Sequence, residues 1–112
     1  MSDTGNDTAN DLVRTTSEAG VTTVTLDDGT VNALSPAMQA AIHVGLDEAE
    51  AAGDAVLLVG QDGRFSAGYD LSLSGDPAAF VDQVRTGFEL CERLLAFPHP
   101  VVIAATGHAI AG

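Results

Sequence analysis

The strongest constraint on this chain is a pair of short, wholly apolar runs, AVLLV at 55–59 and VVIAA at 101–105, each entered from a helix-start signal and a helical pattern. Apolar runs of this length, with no polar alternation, suit strands covered on both faces of a parallel sheet. Ser35-Pro36 and Asp76-Pro77 read as an N-cap followed by proline at the first helical position. The first helix is expected from there to about Ala52, with Met38, Ile42, Leu46 and Ala49 on its inner stripe and Gly53 as its stop. The second carries Phe80, Val84, Phe88, Cys91 and Leu95 at three- and four-residue steps and ends before Pro98 and Pro100. Ahead of both, LVRTT at 12–16 and VTTVTL at 21–26 form a β-branched pair joined by SEAG. Strand pair, helix, strand, helix, strand is the order of an α/β domain with right-handed crossovers.

That order has a consequence for chemistry. If strands 55–59 and 101–105 are neighbours, their carboxyl ends lie about 5 Å apart on one sheet edge, where open α/β sheets take ligands. The segments leaving that edge are GRFSAGYDLS, residues 63–72, and GHAIAG, residues 107–112. Both are rich in small residues, so a polar group can approach two backbone turns at once, and two convergent N–H donors make an oxyanion hole.

Charge excludes other classes. Sixteen acids face four arginines (Arg14, Arg64, Arg85 and Arg93) and no lysine, a formal net charge of −12. Nucleic acid and anionic membrane both demand a basic footprint, so neither is an expected partner. Without lysine there is no Schiff base and no P-loop. No apolar run approaches the roughly 20 residues of a membrane helix. The acidic start, residues 1–11, is expected to be a disordered tail and not a signal peptide. One domain of 112 residues is expected, and a single cysteine, Cys91, fits a reducing cytoplasm.

The segments VNAL, FSAGYDL and PVVIAATGHAIAG, in that order and spacing, resemble the crotonase family of enoyl-CoA hydratases and isomerases. FSAGYD is similar to that family's F-x-[AG]-G-x-D segment, and PVVIAATGHAIAG to its P-V-I-A-A-x-x-G-x-A-x-G-G segment. The resemblance covers residues 12–112 and implies the N-terminal portion of a spiral of strand–strand–helix turns. It also implies an acyl-CoA thioester whose enolate is stabilised by two peptide N–H groups, those of Ala67 and Gly112. Asn32, Ala33, Leu34, Ser66, Ala67, Asp70 and Leu71 are the implied contacts to the coenzyme A thioester. Coenzyme A enters as part of the substrate, with no tightly bound cofactor and no metal, and the full-length relative is a homo-oligomer, a trimer or hexamer.

The departures from the family pattern bear on activity. The family's catalytic glutamates fall beyond the glycine matching Gly112, so the chain alone is expected to be inactive. Ser72 stands where relatives often carry lysine, and Ala111 where the first of two paired glycines stands. A non-catalytic acyl-CoA-binding protein is therefore the alternative. A Clp-like serine peptidase fits less well, because Thr106-Gly107-His108 offers no nucleophilic serine. Among single residues, Asp70 is expected to cap or brace its own loop. Tyr69 is read as packing or as part of an acyl pocket, and Arg64 as a solvated cation ahead of a phosphate contact.

Overall fold

The computed structural model describes residues 11–112; apart from Asp11, the expected tail at 1–11 lies outside the described residues. The elements are β1 (Val13–Glu18), β2 (Val21–Leu26), α1 (Pro36–Ala52), β3 (Ala55–Val59), β4 (Gly63–Ser66), a 3₁₀ helix (Leu71–Gly75), α2 (Pro77–Ala96), β5 (Val101–Ala104) and β6 (Gly107–Ala109). A four-stranded sheet runs β1-β2-β3-β5, and a two-stranded sheet pairs β4 with β6. β1 and β2 are antiparallel, whereas β2–β3, β3–β5 and β4–β6 are parallel.

The hairpin is tighter than its sequence implies. Glu18 pairs with Val21, leaving Ala19 (φ 53°) and Gly20 (φ 80°) as a two-residue turn. Positive φ at both positions is the twist that matches the flanking strands. Ser17 and Glu18, expected in the loop, are therefore strand residues.

Both helix starts are as expected. The Ser35 side chain accepts from Met38 N–H and that of Asp76 from Ala79 N–H, each followed by proline. Gly53 at φ 72° closes α1, as a left-handed cap does. The stripe Met38, Ile42, Leu46 and Ala49 is buried against the sheet, with Val24, Leu26, Val56 and Leu58 opposite.

Two expectations fail. The order β2, β3, β5 steps in one direction across the sheet. Successive right-handed crossovers of that kind place both helices on the same face, and both line one cavity over β2, β3 and β5. Only one face of the sheet is covered by the described residues: β3 alternates between buried and half-buried, and Val102 and Ile103 of β5 are exposed. The second failure is the face of α2. Gln83, Gly87 and Leu90 point inward. Of the expected stripe, Phe80, Val84 and Cys91 are half-buried, whereas Phe88 is 64% and Leu95 90% exposed.

The chain climbs in turns of long strand, short strand and helix: β3–β4–α2 is one, and β5–β6 begins the next. The earlier turn, β2–α1, adds no named short strand, but Ala33 bridges Gly68 in parallel and takes that place. This is the strand–strand–helix spiral expected from the sequence.

Candidate functional site

Three loops meet where the short strands end: residues 27–34 after β2, 66–72 after β4, and 109–112 after β6. Asp28 and Asn32 organise the first. Asp28 Oδ1 accepts from the N–H groups of Thr30 and Asn32 at 2.7 and 2.9 Å, and Oδ2 from Ala33 N–H at 3.1 Å. Burial pushes the Asp28 carboxyl up, but these peptide N–H groups, with the Thr30 hydroxyl, outweigh it and hold it below the usual carboxylate range. Asn32 is fully buried at φ 56°, a left-handed conformation that asparagine tolerates better than most residues. Its Oδ1 accepts from Asp28 N–H at 2.9 Å; its Nδ2 donates to the carbonyls of Leu26 and Phe65 at 3.0 and 3.1 Å. The Ser66 hydroxyl donates to Asn32 C=O at 2.7 Å and accepts from Gly68 N–H at 3.1 Å. Asn32 and Ser66 therefore bolt two loops together and present no side-chain group to a ligand, which corrects their expected contact role.

The backbone of VNAL is likewise engaged: Leu34 N–H donates to Gly68 C=O at 2.7 Å. Asp70 braces its loop, as expected on bland grounds, because its Oδ1 accepts from Ser72 N–H at 3.0 Å and caps the 3₁₀ helix. It is not free to contact a thioester through that oxygen. Leu71, 73% exposed, stands at the rim.

The most consequential correction concerns Ala67. Its N–H donates to Val31 C=O at 3.0 Å and holds the loop to the first turn of the spiral. A donor committed to a carbonyl is not available to an oxyanion. Gly68 N–H is taken by Ser66 and Asp70 N–H by the Gln83 side chain at 2.8 Å. Between them, Tyr69 N–H has no acceptor among the described residues, and the same holds for Gly112 N–H.

These two peptides belong to segments in close contact. A Cβ added to Gly68, at φ 92°, would lie 2.6 Å from Ile110 O and 3.0 Å from Ala111 Cβ. One added to Gly112 would meet the Tyr69 ring at 3.1 Å and Leu34 Cδ1 at 2.8 Å. Only glycine permits the two turns to approach in this way. A cavity of about 120 Å³ opens beside them, lined by Leu34, Phe65, Leu90, Cys91, Ile103 and Gly112 among others. Burial, with a smaller contribution from Cys91, raises the Tyr69 hydroxyl above its ordinary value.

The convergence of the two loops is legible in the sequence; the residue supplying the donor is not. A sequence signal of the surroundings does lie on α2. Gly87 lies inside the helix and Gln83 falls on its inner face; a mid-helix glycine and a buried amide are both costly without a neighbour that needs them. Arg64 pairs with His108 in the β4–β6 register and makes no ion pair with the described residues; its Nε is buried without a partner. Among the described residues no group of three His, Cys, Asp or Glu side chains is placed to hold a metal ion, and no helix is long and apolar enough to cross a membrane.

Residues 16–112 match the family model described as enoyl-CoA hydratase/isomerase. Among solved structures, an enoyl-CoA hydratase/isomerase family protein from Pseudomonas syringae is 39% identical, with a TM-score of 0.87 over 90% of this chain and 44% of its own. An enoyl-CoA isomerase of Mycobacterium tuberculosis is 45% identical, with a TM-score of 0.84 over 91% of this chain and 45% of its own. An enoyl-CoA hydratase of Mycobacterium ulcerans is 43% identical, with a TM-score of 0.84 over 89% of this chain and 45% of its own. No curated protein matches. The chain thus spans less than half the length of the structures it resembles. The family model, the spiral and the glycine-lined convergence of the two loops agree: the chain belongs to the enoyl-CoA hydratase/isomerase family, with a crotonase-like fold.

Proposed function

We propose that this chain binds an acyl-CoA thioester and carries the oxyanion contacts of a hydratase or isomerase site. The observation that carries the proposal is the pair of unengaged peptide N–H groups, Tyr69 and Gly112, on two segments packed together. A thioester carbonyl oxygen accepts from both. When a proton leaves the α-carbon, or water adds to the β-carbon of an enoyl group, negative charge moves onto that oxygen. Fixed N–H donors stabilise that charge more than they stabilise the neutral carbonyl. The neighbouring apolar cavity suits the acyl chain, and Ala33, Leu34 and Leu71 border the approach of the coenzyme A portion.

The described loops supply donors and no general acid or base, since the Asp70 carboxylate is engaged as a cap. The 112-residue chain by itself is therefore expected to bind without turning over crotonyl-CoA. That same feature favours the second reading, a non-catalytic acyl-CoA binder. Association as a trimer or hexamer and a cytoplasmic location remain part of the proposal.

Calorimetry with acetoacetyl-CoA, free CoA and NAD tests it. Acetoacetyl-CoA should bind, CoA should compete, and NAD should not. Tyr69→Pro removes the donor; it should weaken acetoacetyl-CoA about three- to tenfold, on the scale of one lost hydrogen bond to a neutral carbonyl, and leave free CoA unchanged. Tyr69→Ala keeps the N–H and loses only the ring, so it should weaken acetoacetyl-CoA less than Tyr69→Pro does. Binding of NAD without CoA, or an unchanged affinity in Tyr69→Pro, refutes the assignment.

A further inference from the structure

Two residues on the inner face of α2 touch the Tyr69–Asp70 turn: a glutamine, whose burial is costly unless it is hydrogen-bonded, and a glycine, a poor helix former. Gln83 is 1% exposed. Its Oε1 accepts from Asp70 N–H at 2.8 Å and its Nε2 donates to Asp70 C=O at 3.3 Å, so one side chain grips both polar groups of one residue. Its backbone carbonyl accepts from Gln39 Nε2 at 3.0 Å, and the same nitrogen donates to Leu34 C=O at 3.0 Å. The Thr86 hydroxyl donates to Gln39 Oε1 at 2.6 Å and completes the bolt between helices. One helical turn on, Gly87 receives the Tyr69 ring. A Cβ there would lie 2.5 Å from the hydroxyl oxygen, 2.7 Å from Cε1 and 3.0 Å from Cζ.

We infer that Gln83 and Gly87 are positioning residues that together fix the direction of the Tyr69 N–H. Gln83 holds the backbone on the carboxyl side of that peptide, and Gly87 seats the ring that the same residue carries. Both holds lie on the carboxyl side of the Tyr69 N–H; on the other side of that peptide, the Gly68 carbonyl accepts from Leu34 N–H at 2.7 Å, so the peptide plane is fixed from both directions. Donors aimed at a developing charge have to hold direction to within about 10–20°, and a loop held only at its termini does not. The paired glutamines extend the hold to Leu34, on the far side of the cavity. This inference rests on the proposed thioester site, but its structural half does not depend on any ligand.

Tyr69 is the only tyrosine and the chain has no tryptophan, so tyrosine emission and the tyrosine band of the near-ultraviolet circular dichroism, at longer wavelength than the phenylalanine bands, report this ring alone. Alanine is a better helix former than glycine, so Gly87→Ala without a clash should raise the melting temperature. We expect a lower one, with a lost dichroism band and at least about twofold stronger quenching by acrylamide. Its affinity for acetoacetyl-CoA should fall about three- to tenfold, as for one lost hydrogen bond to a neutral carbonyl, with free CoA unaffected. Gly87→Ala combined with Tyr69→Ala removes the clash and keeps the peptide N–H and the Gln83 hold but not the seated ring, so it should recover part of the preference for acetoacetyl-CoA over CoA and no more than Tyr69→Ala alone shows. Gln83→Met should lose that preference; Gln83→Glu, which still accepts from Asp70 N–H, should keep part of it. A raised melting temperature with an unmoved Tyr69 signal and unchanged binding in Gly87→Ala overturns the inference and leaves the thioester site standing. Unseating of the ring in a protein whose parent binds no acyl-CoA supports the seat at Gly87 and removes the proposed function instead.

Discussion

Replacing Asn32 with alanine removes the joint between the first two turns of the spiral, and the structure fixes the size of the effect. Three hydrogen bonds go: Asp28 N–H loses its acceptor, and the carbonyls of Leu26 and Phe65 lose a donor. Leu26 C=O keeps Gln61 Nε2 at 2.8 Å, so its loss is small. A buried polar group left unsatisfied costs about 1–3 kcal/mol, and an ordinary residue held in the left-handed region about 1–2 kcal/mol. The expected total is about 3–5 kcal/mol, a large share of the roughly 5–15 kcal/mol a domain of this kind has. Asn32→Gly separates the contributions, since it keeps φ 56° without strain and should recover about 1 kcal/mol. Asn32→Asp keeps the acceptor for Asp28 N–H but turns an anion toward two carbonyl oxygens, so it should be worst near neutrality and milder in acid. Urea unfolding followed by Tyr69 emission and far-ultraviolet circular dichroism measures all three. A loss below about 1 kcal/mol for Asn32→Ala, or glycine as damaging as alanine, refutes this account of the joint.

Stability should fall in two stages on acidification. Burial first, then Arg93, holds the His43 imidazole below its usual range; the folded state favours its neutral form, so stability present above about pH 6.5 is lost as pH falls from there toward the folded value. The carboxyls of Asp28 and Asp54 are also lowered, Asp54 by the Ser17 and Thr22 hydroxyls. Their contribution is full above about pH 3.9 and is lost as pH falls through the folded values. A melting series from pH 8 to 3 should show both stages, with His43→Gln removing the first alone. Separately, Val81, Phe88 and Leu95 on α2 and Val102 and Ile103 on β5 leave apolar surface exposed, so the 112-residue chain should associate with rising concentration. Phe88→Ser should reduce that on size exclusion at little cost to the melt, and a concentration-independent monomer in both proteins counts against it.

The order of elements, both helix starts and the stop at Gly53 are written in local sequence. Capping, the fixed φ of proline and the permissiveness of glycine act over four or five residues, and no distant contact is needed to decide them. The place of the site was legible for a related reason: parallel strands bring their carboxyl ends to one edge whatever else the chain does. Which side of α2 faces inward was not legible. As a set, Phe80, Val84, Phe88, Cys91 and Leu95 are more apolar than Gln83, Gly87 and Leu90, and hydrophobicity alone centres the buried face on a stripe that is at best half-buried. Gln83 is buried because it can satisfy both polar groups of Asp70, and Gly87 because a ring needs the space. The same limit governs the donor at the site. Ala67 and Tyr69 sit two residues apart in one loop, and only the position of Val31 C=O decides that the first N–H is occupied and the second is left free. A peptide's availability depends on what stands opposite it, and here that partner lies 36 residues back along the chain, in the preceding turn of the spiral.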